Sequence, residues 1–264
     1  MLSIVVSGIA GRMGNIIASR ILSDSTLKLS GALERKGHPW IGKDAGRMLG
    51  AGEAGIPVVD SLENIKGDAI IDFTTIKATI SLLEHAVRLK MPMVIGTTGF
   101  KEQEKERIQK SAGIIPIILS PNMSIGMNLL FVLVEKAALA LGDEYDVEII
   151  EAHHKYKKDA PSGTAIRLGE IVASALKRDF QASAVFGRKG FTGERKREEI
   201  GMQVIRAGDI IGDHTVLFAT DGERIEFTHR VTSRENFARG AILAAKWLSG
   251  KKPALYSMKD VLGI

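Results

Sequence analysis

Hydrophobic positions in the first half of the chain follow two alternating patterns. Short apolar runs predict buried strands at Ile4–Val6, Leu27–Leu33, Ala69–Phe73, Met93–Ile95 and Ile114–Leu119, with a shorter one at Pro57–Val59. Helical spacing fills the gaps between them. Asn15–Leu22 sets Ile16, Ile17, Ile21 and Leu22 at that spacing, Lys77–Lys90 lines up Ile80, Leu83 and Val87, and Lys101–Lys110 is a charged helix. Lys36–Gly55, rich in glycine and charge, is expected to be an irregular excursion. Strands alternating with helices build a parallel sheet through crossovers, so the expected class is α/β with a Rossmann-type parallel-sheet domain.

The pattern changes after Ser120-Pro121-Asn122. A long apolar helix over Gly126–Leu141 leads to a strand at Tyr145–Glu151, a loop, and a helix at Thr164–Leu176. Strand-like runs follow at Ile200–Arg206, His214–Ala219 and Arg224–Arg230. Asp221-Gly222 between the last two is a strong hairpin signal. A final helix, Ala238–Leu248, precedes a Pro-marked tail. These runs predict a mixed α+β domain over 124–235, inserted into a dinucleotide-binding domain formed by 1–123 and 236–264.

Composition narrows the choice of chemistry. Of 264 residues, 45% are hydrophobic and 25% charged, the balance of a globular protein. There is no cysteine, which excludes disulfides, thiolate nucleophiles and Cys-based zinc or iron–sulfur sites. The net charge of +5 suits anionic ligands. Aromatics make up only 5%, and the one dense basic cluster, Arg188-Lys189 with Arg195-Lys196-Arg197, has Phe191 as its sole aromatic, so nucleic acid is not an expected partner. The longest apolar runs, such as Leu129–Val134, fall short of the roughly 18–20 residues that cross a bilayer. Together with an N-terminus unlike a signal peptide, this predicts a cytoplasmic protein with no membrane partner.

Chemistry concentrates where strands end. Gly8-x-x-Gly11-x-x-Gly14 lies between a strand and a helix, and Glu34 follows 20 residues after the last glycine, at the end of the next strand. Such a loop lets the backbone approach a pyrophosphate at a helix N-terminus, and the acidic residue can hold a ribose hydroxyl. The adjacent Arg35 and Lys36 read either as a site for a 2′-phosphate or as a pair of solvated surface charges, leaving NADH and NADPH both open. Gly96-Thr97-Thr98-Gly99 reads either as a loop running along the dinucleotide or as a structural turn. Ser120-Pro121-Asn122-Met123 reads as a nicotinamide contact through Asn122 or as a hinge. The densest cluster is Glu151–Thr164, EAHHKYKKDAPSGT. Adjacent histidines on an extended segment point to opposite faces, and the flanking lysines repel cations, so no metal is expected. The segment reads either as a solvated basic loop or, the better fit, as an anion pocket. The helix start at Ser162–Thr164 offers donors to a carboxylate, while His153 and Lys157 can transfer protons.

These blocks together resemble the bacterial dihydrodipicolinate reductase family, the 4-hydroxy-tetrahydrodipicolinate reductases of the diaminopimelate route to lysine. The resemblance rests on Gly8–Gly14, Asp72-Phe73-Thr74, Gly96–Phe100, Pro121-Asn122, Glu151–Thr164, Gly187–Arg195, Ser233–Phe237 and the tail Leu255–Leu262. It implies hydride transfer from NADH or NADPH to a cyclic imine-type dicarboxylate. By position, His153 and Lys157 match the family's proton-transfer residues, and His154, Gly163 and Thr164 its substrate contacts. Gly8, Ile9, Ala10, Gly11, Arg12, Met13, Glu34, Arg35, Gly96, Thr97, Thr98 and Ser120, Pro121, Asn122 and Met123 match its cofactor contacts. Ser120 and Met123 depart from the Ala and Phe that many members carry. The resemblance also implies a homotetramer joined through the second domain. Another two-domain NAD(P)-dependent dehydrogenase of amino or oxo acids would share the first half but not need His153–Thr164.

Overall fold

The computed structural model describes residues 1–264. In chain order the first elements are β1 (Leu2–Ser7), α1 (Arg12–Ser23), β2 (Leu27–Leu33), α2 (Ala45–Met48), β3 (Val58–Val59), β4 (Ala69–Asp72), α3 (Ile76–Leu89), β5 (Met93–Ile95), α4 (Glu102–Ala112) and β6 (Ile117–Leu119). Next come α5 (Ile125–Leu141), β7 (Asp146–His153), α6 (Gly163–Ala175), α7 (Phe180–Ser183), β8 (Ala184–Phe186), β9 (Ile200–Arg206), β10 (Gly212–Thr220) and β11 (Glu223–Val231). The chain ends with α8 (Glu235–Leu248), β12 (Leu255–Tyr256) and α9 (Met258–Leu262). Two compact units result: Met1–Ile125 with Arg234–Gly263, and Gly126–Ser233 with Ile264.

The first unit is a seven-stranded parallel sheet in the order β12-β6-β5-β4-β1-β2-β3. Alternate strand residues feed two apolar layers, as the pleat requires. Ile4, Val6, Ile71, Val94 and Ile118 pack with Ile17, Ile21, Ala241 and Ala245 of α1 and α8. On the other side Val5, Ile70, Met93, Ile95 and Ile117 pack with Leu83 and Ile108 of α3 and α4. Because β1, β4, β5 and β6 run in register, Ser7, Asp72, Ile95 and Leu119 end side by side. The loops that follow them share one carboxyl edge, where open α/β sheets bind ligands.

The second unit is a mixed sheet ordered β11-β10-β7-β9-β8, with β10 antiparallel to both neighbours and the β7, β9 and β8 pairs parallel. The Asp221-Gly222 turn closes the β10–β11 hairpin, with Gly222 at φ +86 where an L side chain would be strained. One sheet face, built on Val147, Ile149, Val216 and Phe218, packs against α5 and α6.

Several expectations shift. The strand expected from Ile114 begins at Ile117, and the helix expected from Asn15 starts at Arg12. A short helix, α2, lies inside the stretch read as irregular. The pieces α7, β8, β12 and α9 are too short to show periodicity. Residues 125–144 have a mean hydropathy of 1.7 and are, by length and composition, long and apolar enough to cross a membrane, contrary to the reading of shorter apolar runs. In the fold, Met127, Leu130, Phe131, Val134 and Ala138 of this helix lie in the core of the second unit.

Candidate active site

In the first unit, Gly8 follows β1 at φ +68, and its carbonyl accepts the Gly11 N–H at 2.9 Å. A Cβ on Gly14 would fall 2.0 Å from the Gly8 carbonyl oxygen, so only glycine lets α1 sit this close to the turn. Gly11 caps α1 with no side-chain hydrogen bond, leaving the helix start, at Arg12 and Met13, without a side-chain cap. That is the construction of an anion cradle. Glu34 Oε1 accepts the Ala10 N–H at 3.0 Å and Oε2 accepts the Arg35 N–H at 3.0 Å, which aims the carboxylate at the glycine loop. Gly8, Gly11, Glu34, Arg35, Phe73 and Thr74 line a cleft of about 490 Å³ that extends to Ser81 and His85. A dinucleotide fits this construction: turn, uncapped helix start and the Glu34 carboxylate lie along one cleft.

Other residues expected in the cofactor site do not line this cleft. Ile9 is fully buried in the core, and its N–H donates to the Leu33 carbonyl, so its side chain is packing. Met123 is likewise buried in that core. Thr97 turns its hydroxyl inward, 2.9 Å from Thr79 Oγ1 and 3.2 Å from Asp72 Oδ2, instead of presenting it along the loop. Asp72 is the hub of this cluster: burial pushes its carboxyl up, against hydrogen bonds from Thr79, Thr74, Ser7 and Thr97. Gly96 is required by packing, since a Cβ there would meet the Phe73 ring at 2.2 Å, while Thr98 is exposed. Asn122 Oδ1 accepts the Ser124 N–H at 2.8 Å, and Ser120 Oγ donates to the Asn122 carbonyl at 2.7 Å. With Pro121 between them they form a tight turn at the end of β6. The residues at 96–98 and 120–123 share the sheet edge but do not line the 490 Å³ cleft.

In the second unit, β7 alternates between buried and partly exposed residues until Glu151, Ala152 and His153, all of which are buried. Polar groups stay buried only when paired, and here they are. Glu151 Oε2 accepts from His153 Nδ1 at 2.6 Å and from Arg206 Nη1 at 2.8 Å. Its Oε1 accepts from Arg206 Nη2 at 2.8 Å and from the Ser162 N–H at 2.9 Å. Burial disfavours the charged carboxyl, but the hydrogen bonds from His153, Arg206 and Ser162 prevail and hold it at about 2. Ser162 Oγ caps α6 by accepting the Ala165 N–H at 3.2 Å, so Gly163 and Thr164 open the helix. The same hydroxyl lies 3.1 Å from His214 Nε2. Burial first, and then the neighbouring His153, push His214 down to about 3. Lys157 Nζ donates to Asp159 Oδ1 at 2.9 Å, and Arg206 Nη2 donates to the Asp159 carbonyl at 2.7 Å, tying the loop to β9. His154 follows directly, its ring 6.3 Å from that of Tyr156. Titratable side chains, a helix N-terminus and a cationic loop thus gather after β7, an arrangement able to hold a carboxylate and move protons beside it.

Comparison with known proteins bears on both units. The family model described as "Dihydrodipicolinate reductase, N-terminus" matches residues 2–123, and "Dihydrodipicolinate reductase, C-terminus" matches residues 126–262. The chain belongs to the dihydrodipicolinate reductase family. The 4-hydroxy-tetrahydrodipicolinate reductase of Geotalea uraniireducens is 51% identical over 266 residues, covering 100% of both chains. That of Syntrophus aciditrophicus is 49% identical over 265 residues, covering 100% of this chain and 99% of its own. Among solved structures, a dipicolinate-bound dihydrodipicolinate reductase from Paenisporosarcina sp. TG-14 shares the fold, with a TM-score of 0.77 at 23% identity over 97% of each chain. An amine dehydrogenase from Mycobacterium smegmatis shares it with a TM-score of 0.61 at 14% identity, covering 97% of this chain and 95% of that one.

Within this dihydrodipicolinate reductase fold, Glu151, Asp159, Arg206 and His214 are polar members of the cluster that spacing alone did not assign. Glu151 had a usable signal, since residues two apart on a strand share a face and Glu151 precedes His153 by two. His214 reaches the cluster only through the β7–β10 register, which places it opposite Glu151. Arg188 and Arg195, the centre of the basic cluster, are committed to Glu148, Glu199 and Asp146.

Proposed function

We propose that this protein reduces 4-hydroxy-tetrahydrodipicolinate to tetrahydrodipicolinate with NADH or NADPH, a step of lysine biosynthesis. The observation that carries the reading is the His153–Lys157–Gly163 cluster at the end of β7, in a chain about half identical along its full length to reductases of that name. The nicotinamide cofactor supplies hydride when bound. The glycine loop and the start of α1 receive its pyrophosphate, Glu34 its adenosine ribose and Arg35 a 2′-phosphate where present. Backbone groups of residues 96–98 and 120–123 border its nicotinamide end. Gly163 and Thr164 at the start of α6, with His154, hold a substrate carboxylate. Hydride addition to a conjugated ring leaves an electron-rich atom that must gain a proton, and Lys157 and His153 are the donors within the cluster. The protein acts as a homotetramer in the cytoplasm, its second-unit sheets joined. Their outer faces carry Leu217 and Ile205, the latter 47% exposed.

The test is a coupled assay in which pyruvate and aspartate semialdehyde are condensed enzymatically to form the substrate. Oxidation of NADH and NADPH is followed in separate reactions. Substrate-dependent oxidation of at least one nucleotide is expected. Its absence with both, in protein that binds nucleotide, would overturn the assignment.

A further inference from the structure

Glu151 and Arg206 have no direct part in the reaction proposed above, yet the structure commits Glu151 to His153 and Arg206 to Glu151. Glu151 is 1% exposed and takes hydrogen bonds on both oxygens from three residues. Burying a carboxylate is costly unless donors of this kind surround it, and Arg206 meets it with the two-pronged geometry that guanidinium provides. An ionised carboxylate accepts hydrogen bonds and cannot donate them. The hydrogen in the 2.6 Å contact therefore sits on His153 Nδ1, and Nε2 is left as the nitrogen that exchanges a proton. Gly212 borders that nitrogen: a Cβ there would lie 3.1 Å from Nε2, so glycine keeps the approach open. His214 packs edge-on against the His153 ring at 5.2 Å.

We propose that Glu151 and Arg206 are positioning residues, which fix His153 in the Nδ1–H tautomer with Nε2 turned to the substrate. The same guanidinium holds the Asp159 carbonyl, so it ties the loop carrying Lys157 to the Glu151 carboxylate that holds the imidazole. The inference rests on the reading of His153 as a proton-exchanging group.

Nitrogen-15 NMR of His153 in the full-length protein, followed through a pH titration, tests it. In the wild type the neutral ring is expected to show the Nδ1–H tautomer alone. In Glu151→Gln, whose amide can donate as well as accept, that tautomer is expected to be lost or mixed. There kcat is expected to fall by about 10²-fold or more, with KM for NADH unchanged. A wild-type Nε2–H tautomer would overturn the proposal without any variant. So would a Glu151→Gln enzyme that keeps both the tautomer and kcat. His153→Ala separates the two layers. If it retains wild-type kcat, the functional reading of His153 fails; if it loses activity while Glu151→Gln does not, only the positioning role fails.

Discussion

Lys157 Nζ lies 2.9 Å from Asp159 Oδ1, and the Lys157 N–H is bonded to the His154 carbonyl, so the side chain is held at the cluster by both ends of the residue. Lys157→Ala is expected to lower kcat by about 10²–10⁴-fold, the usual cost of losing a positioned proton donor. Binding of NADH, monitored by fluorescence titration, should stay near the wild-type value, because the nucleotide cleft belongs to the other unit. Parallel loss of binding and turnover would show that Lys157 is not the donor. Glu34 tests the other half. Its carboxylate is tethered by the Ala10 and Arg35 amides in the cleft. Glu34→Ala is expected to raise KM for NADH by about tenfold, a loss near 1.4 kcal/mol, and to leave KM for the dicarboxylate unchanged. Initial-rate kinetics with each substrate varied would decide, and an unaltered NADH dependence would remove Glu34 from the site.

At the scale of elements, α1 depends on one contact. The ideal Cβ of Ala at position 14 would lie 2.0 Å from the Gly8 carbonyl oxygen and 2.9 Å from Ile9 Cα, both backbone atoms that cannot swing aside. Gly14→Ala is expected to push α1 away from β1, at an overpacking cost of at least about 1–3 kcal/mol. Calorimetry should show a lower Tm, and nucleotide titration a weaker affinity; wild-type values for both would mean that α1 does not depend on this approach. The glycine loop was legible because its signal is local: strand, three glycines, amphipathic helix, acidic residue. The start of α6 was legible for the same reason, with Ser162 as N-cap. Arg206 was not, because nothing in its neighbourhood along the chain shows that it will lie beside β7. Parallel pairing of His153 with Arg206 brings it there, and such registers emerge only when whole strands pack. The role of Thr97 stays open in the sequence, as ligand loop or structural turn, for a related reason: only the fold brings its hydroxyl to buried Asp72.

At the scale of the whole molecule, the two units carry buried titrating groups of opposite sign. In the second unit His214 is held down to about 3 from an ordinary 6.5, and His229 is also lowered, by burial. As pH falls below 6.5 the unfolded chain takes up protons at these rings that the folded unit refuses, so its stability falls. Each full proton of difference is worth about 1.4 kcal/mol per pH unit. Glu151 acts in the same direction at lower pH: the unfolded chain protonates it near 4.5, while the folded unit keeps the carboxylate until about 2. Asp72 in the first unit works the other way. Burial raises its folded value above 3.8, so the contribution of this group is present below the unfolded value and lost as pH rises through the folded one. Carboxyls lowered from 3.8 in the first unit, Asp24, Asp44 and Asp260, act only below about pH 4. Between pH 6.5 and about 4, then, acid weakens the second unit and does not weaken the first through its shifted groups. Scanning calorimetry across this range is expected to resolve an earlier-melting transition that moves down with pH, with hydrogen exchange locating it in β7, β10 and β11. Replacing His214 by Gln should flatten that slope, since the ring that refuses the proton is gone. A single transition descending as one, or exchange appearing first in β1 and β4, would show that these buried rings do not govern the acid response.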